Sequence, residues 1–241
     1  DRHYPQKNCS LLPPEPSYPP PSAMTIDPLT VVSLTHAQAE KLLALDIPLH
    51  LPALKVLCPT AAKVLAQCKH GIELRSLPAL TVEAAEALAQ HQWGLHLRGL
   101  ISVSRELGDA LAKHRGTLLF GDCLAALESP SLARHYARLH PRHIALNGLR
   151  RLSPEVARAL AYDGKELGRL TSISLNGLRL LTAETAAELV ESFDSLSLKG
   201  LSTGRCKLGD GAEEVLALCG DSLTLLVGDQ GKDIAGFLSQ D

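Results

Sequence analysis

Length, charge and composition exclude several classes of protein at the outset. The chain has 241 residues, of which 45% are apolar and 21% charged, and its formal net charge is −2. This composition is typical of a globular protein, the near-neutral balance argues against a dedicated nucleic-acid binder, and no apolar run reaches the roughly 18 residues that a membrane span needs. Leucine fills about a fifth of the positions, and such a bias suggests repetition.

The N-terminal segment is rich in proline. Seven of the fifteen prolines fall within the first 22 residues. Proline lacks an amide donor and disfavours helix at the residue before it. The sequence therefore predicts an extended linker or arm over residues 1–23, partly in the polyproline II conformation. We prefer a spacer to a ligand for a proline-recognising domain, and residues 24–241 form the second domain.

From residue 24 onward the chain repeats itself. Short segments of the form apolar-x-leucine recur at intervals of 23 to 29 residues, and each predicts a short strand. The segments begin at Leu49, Ile72, Leu95, Leu118, Ile144, Ile173, Leu196 and Leu223, with a degenerate first copy near Ile26.

A helix of about ten residues is predicted after each strand and turn. Residues of helix-capping type precede it, namely Thr35, Thr81, Ser104, Ser153 and Thr182, with Cys58 in one copy. Each helix then carries a small residue and, three positions later, a leucine, as in Ala85 and Leu88. Positions three apart share a helix face, so this stripe predicts the buried side. Gly71, Gly94 and Gly116 fit helix stops.

No single unit of this kind can bury its apolar face alone, whereas stacked units share one core. The predicted fold is therefore an α/β solenoid of eight or nine units, with one short parallel strand and one helix in each.

The clearest copies read LHLRGL, IALNGL, ISLNGL and LSLKGL, starting at Leu95, Ile144, Ile173 and Leu196. They resemble the leucine-rich repeat family, particularly bacterial variants with LxLxGLxxLS units. The resemblance covers residues 24–241 and implies a curved, right-handed stack that binds partners, usually proteins. The family has asparagine or cysteine at the turn position, whereas this chain has leucine there in most copies and only Cys123 matches, so we expect the family's asparagine ladder to be absent.

Side chains between the inward-facing strand positions should point outward, because strand residues alternate faces. Read across units, these positions form two outward rows, charged toward the N-terminus and small and polar toward the C-terminus. A purely solvated sheet face would give the same pattern. The candidate partner-binding residues are His50, Glu73, Arg75, His96, Arg98, Asn147, Asn176 and Lys199.

Other candidate contacts lie outside these rows. A basic stretch runs from Arg134 to Arg151 without an acidic residue and could dock an acidic partner or phosphate groups. Insertions at residues 163–171 and 202–211 break the period, and loops added to a regular scaffold often carry function.

Catalytic signatures are missing. The sequence contains no GxSxG, HExxH or GxxxxGK[ST] motif, and its six cysteines form no CxxC pair. His91 and His114 occupy the same helix position in successive units, but their polar neighbours indicate a solvated helix end. We therefore expect no enzyme activity, metal or cofactor. The predicted function is a non-catalytic scaffold that binds a protein or peptide partner, which could be acidic. We expect neither nucleic-acid binding nor a membrane span. The alternative is that the chain is the recognition or regulatory arm of a larger enzyme or secreted effector.

Overall fold

The computed structural model describes residues 27–140, 142–167, 172–218 and 224–226. The predicted proline-rich arm at residues 1–23 lies outside these ranges. Within them, short parallel strands alternate with helices, as the sequence predicts.

The helices are α1 (His36–Leu43), α2 (Pro59–Leu65), α3 (Val82–Leu88), α4 (Arg105–Leu111), α5 (Pro130–Leu139), α6 (Pro154–Leu167), α7 (Ala183–Val190), α8 (Lys199–Ser202) and α9 (Ala212–Leu218). The strands are β1 (Ser33–Leu34), β2 (Leu49–His50), β3 (Val56–Leu57), β4 (Ile72–Glu73), β5 (Leu95–Leu97), β6 (Ser102–Val103), β7 (Leu118–Phe120), β8 (Ala126–Leu127), β9 (His143–Ala145), β10 (Ser172–Ser174), β11 (Leu180–Leu181), β12 (Ser195–Ser197), β13 (Lys207–Leu208) and β14 (Thr224–Leu226).

The predicted strands form two parallel sheets of four, in the orders β2-β4-β5-β7 and β9-β10-β12-β14. Their register matches the sequence period, since Leu49 pairs with Ile72, Ile72 with Leu95, and Leu95 with Leu118. The structure also contains a strand type that the period does not predict. Two-residue strands between the main strand and the helix pair in parallel as β1-β3, β6-β8 and β11-β13.

The helices begin where the capping residues predict. The side chains of Thr35, Thr81, Ser104 and Thr182 each accept a hydrogen bond from a backbone amide of the first turn, and Cys58 does so through its sulfur. The prediction that Gly71, Gly94 and Gly116 end the helices is wrong. Helices α3 and α4 end at alanine caps with right-handed backbone, about five residues before Gly94 and Gly116.

The core lies between the main strands and the helices. The predicted inward leucines of the strands are buried: Leu74, Leu97, Leu146, Leu175 and Leu198. The small helix row is buried as well, and its one glycine shows why these residues are small. A Cβ at Gly108 would lie 2.2 Å from the Cβ of Ser129 in the next unit.

The glycine of the LxLxGL motif allows adjacent units to stack. A Cβ at Gly99 would lie 2.5 Å from the backbone oxygen of Arg75, and one at Gly148 would lie 2.2 Å from that of Asp122. Atoms cannot approach so closely without a shift of the backbone. The motif therefore sets the spacing of the turns that carry the candidate site.

Candidate functional site

The candidate site is a charged cluster on the N-terminal main sheet. Strand β4 lies between β2 and β5, and the parallel register places His50 beside Glu73 and Glu73 beside His96. Arg75 and Arg98 follow two residues after Glu73 and His96 along the chain. We call His50, Glu73, Arg75, His96 and Arg98 the strand-face cluster.

Glu73 is the centre of this cluster. Its Oε1 accepts a hydrogen bond from Arg75 Nε at 2.7 Å, and its Oε2 lies 2.7 Å from His50 Nδ1. An ionised carboxylate can only accept, so His50 donates from Nδ1. The side chains of His50 and Arg75 remain 64% and 58% exposed. Glu73 itself is only 8% exposed, because the side chains of its neighbours cover it.

The electrostatics follow from these contacts. The hydrogen bond from Arg75 is the largest influence on Glu73; together with His50 it outweighs burial and lowers the pKa of Glu73 to about 2. Burial lowers the pKa of His96, with Glu73 opposing that effect and the charges of Arg98, His50 and Arg75 adding to it. The two arginines outnumber the single carboxylate of Glu73, so the strand-face cluster carries a net positive charge.

Two donor groups of the cluster are available to a ligand. Arg75 is bonded to Glu73 through Nε, which leaves its terminal amino groups, and Arg98 is exposed with no hydrogen-bond or ion-pair partner recorded in the described part of the chain. Beside Arg75 lies a shallow depression of about 230 Å³, lined by Leu29, His50, Leu51, Pro52, Glu73 and Arg75. The surface therefore combines guanidinium donors with an apolar recess.

The other predicted residues lie on a different sheet and have structural hydrogen bonds. Asn176 Nδ2 donates to Asn147 Oδ1 at 2.9 Å. Asn176 Oδ1 accepts from Ser197 Oγ at 2.8 Å and from the backbone amide of Lys199 at 2.9 Å. An amide ladder thus exists, in the outward row rather than at the family's turn position. Asn147, Asn176 and Lys199 support the sheet and do not join the strand-face cluster.

His91 and His114 differ from the sequence-based interpretation. The prediction that they lie at a solvated helix end is wrong, because the two residues are 0% and 1% exposed and their stacked rings have centroids 6.1 Å apart. Within the part of the chain that the structure describes, His91 Nε2 and both ring nitrogens of His114 have no hydrogen-bond partner. Burial lowers the pKa of both side chains. No group of three or more His, Cys, Asp or Glu residues within the described ranges could hold a metal ion.

Comparison with known proteins does not assign the chain to a family. No family model matches the chain, and no curated protein matches it. None of the helices in the described ranges is long and apolar enough to cross a membrane.

Proposed function

We propose that this chain is a leucine-rich-repeat-like, right-handed solenoid that serves as a non-catalytic scaffold and binds an acidic protein or peptide through the strand-face cluster. The observation that carries the proposal is the arrangement around Glu73. Its carboxylate fixes Arg75 through Nε, so that the guanidinium is already ordered before a partner arrives. Ordering a donor in advance lowers the entropic cost of binding.

Carboxylate is the partner chemistry that fits this surface. An arginine presents planar, multiple donors that match the two oxygens of a carboxylate. Arg75 and Arg98 follow adjacent strands, which lie about 4.8 Å apart, so an extended acidic segment can reach both. The recess beside Arg75 can receive a neighbouring apolar side chain of the same segment.

Affinity capture with the chain as bait tests the proposal. The double variant Arg75→Ala/Arg98→Ala should keep the fold, because both side chains are exposed. It should lose at least one protein that the wild type retains, and the loss should be greatest at low salt, where charge attraction is least screened.

The matched control is Lys41→Ala/Lys113→Ala, which removes two exposed cations from helices α1 and α4 or their ends. This control variant should capture the same proteins as the wild type. Unchanged capture by the arginine double variant, with a normal melting curve, would refute the role of the strand-face cluster.

A further inference from the structure

A second charged surface lies in and next to the two-residue strands β11 and β13. Arg150 and Arg179 are 29 residues apart in the sequence but adjacent in space, since the amide of Arg179 donates to the carbonyl of Arg150 at 3.1 Å. The amide of Lys207 donates in turn to the carbonyl of Arg179 at 2.9 Å. We define the basic ridge as Arg150, Arg151, Arg179, Arg205 and Lys207.

The ridge is exposed and uncompensated. All five side chains are exposed, and none has an ion-pair partner recorded among the residues that the structure describes. Like charges on adjacent strands repel one another. An anionic partner would relieve this repulsion, so the ridge is poised for binding.

The basic stretch that the sequence suggests, Arg134 to Arg151, is not the unit that the fold assembles. Only its last two residues reach the ridge. The remaining cations are Arg179, which directly precedes β11, and Arg205 and Lys207 of the insertion at residues 202–211, which contains β13. The pairing of β11 with β13 sets Lys207 level with Leu180, an exposed apolar side chain amid the cations.

We propose that the basic ridge binds an acidic peptide segment of a partner protein, independently of the strand-face cluster. Its width favours a peptide. Three neighbouring chain segments span about 10 Å, and the acidic residues Glu184 and Asp210 come within three residues after β11 and β13, on the side of the helices that follow. Those acids would repel a broad anionic plane such as a bilayer, whereas a narrow extended segment avoids them. Leu180 then contacts an apolar residue between two acids.

The chemistry of the ridge also weighs against single-stranded nucleic acid. Binding of that kind combines a basic groove with aromatic side chains on which bases stack. None of the ridge residues is aromatic, and neither is Leu180. Without a stacking surface the ridge offers charge pairing, which suits the carboxylates of a peptide.

The experiment measures fluorescence anisotropy of a labelled peptide of alternating aspartate and leucine. All proteins carry Arg75→Ala/Arg98→Ala, so that the strand-face cluster contributes nothing. The test variant adds Arg150→Gln, Arg179→Gln and Lys207→Gln, and the matched control adds Lys41→Gln, Lys63→Gln and Lys113→Gln, which removes the same charge from other exposed sites. Thermal melts verify that each variant is folded.

We expect the test variant to bind the peptide about tenfold more weakly, since each exposed ion pair contributes roughly twofold. The control should stay within about twofold of the background protein, and the single variant Arg179→Glu should weaken binding as well. Equal affinity of the test variant, or an equal loss in the control, would overturn the proposal. So would tighter, ridge-dependent binding of phosphatidylserine vesicles or single-stranded DNA than of the peptide.

Discussion

Acid should destabilise this fold through His91 and His114. Burial lowers the pKa of each below its ordinary value of 6.5, and the charge of His91 lowers that of His114 further. At a given acidic pH the native state therefore binds fewer protons at these two rings than the unfolded chain does. Stability is unaffected well above pH 6.5 and falls as the pH drops below it, because the unfolded state then binds more protons.

The size of the effect follows from the linkage relation. A histidine that stays neutral in the native state costs about 1.4 kcal/mol one pH unit below its unfolded pKa. Two such residues give a loss of up to about 3 kcal/mol near pH 5.5, a large part of the roughly 5–15 kcal/mol that stabilises a typical domain. The repulsion between the two rings keeps the second proton off the native state.

Urea titrations at about pH 7.5 and about pH 5.5 measure this loss in the free energy of unfolding. The variant His91→Gln/His114→Gln removes both titrating groups and keeps neutral polar side chains. It should lose up to about 3 kcal/mol less than the wild type over this interval. His96, whose pKa burial also lowers, contributes equally to both proteins. If the two proteins lose the same stability, these histidines are not neutral and buried.

Five further substitutions probe packing and charge. Ala85→Leu should overpack the helix–sheet interface and cost about 1–3 kcal/mol, and Leu88→Ala should leave a cavity that costs about 2–5 kcal/mol; wild-type melting of both would place the buried helix face elsewhere. Gly177→Ala, whose Cβ would lie 2.1 Å from the carbonyl oxygen of Asn147, should lower the melting temperature, whereas Gly71→Ala, with no atom closer than 3.5 Å, should not. The wild type should lose about 1–2 kcal/mol of its free energy of unfolding between pH ~4.5 and ~2, since a carboxylate with a lowered pKa stabilises the fold only while it is ionised. Glu73→Gln should remove this loss. If the variant keeps the same loss, other carboxylates cause it.

The sequence predicts the main strands and the helix starts because both depend on local patterns that recur with the period. Leu49 and Ile72 occupy equivalent places and become register partners. The two-residue strands escape prediction, since a pair such as Lys207 and Leu208 is too short to show alternation. Their pairing arises only when units stack.

The sequence predicts which residues form the strand-face cluster but not how deeply each of them is buried. Strand alternation places His50, Glu73 and His96 in one row, and the register confirms that row. The burial of Glu73 depends on side chains from neighbouring strands, which no single unit encodes. The same holds for His91 and His114, whose polar sequence neighbours conceal a stack that forms between units.

Hydrogen–deuterium exchange of the chain, alone and with a captured partner, tests the central claim most directly. Exchange reports where a partner covers or orders the backbone. The account predicts slower exchange of the peptides that carry β2, β4 and β5, centred on Glu73 and Arg98, and no such change when Arg75→Ala/Arg98→Ala is mixed with the same partner. Protection confined to the exposed helix surfaces, with β2, β4 and β5 unaltered, would contradict binding through the strand face.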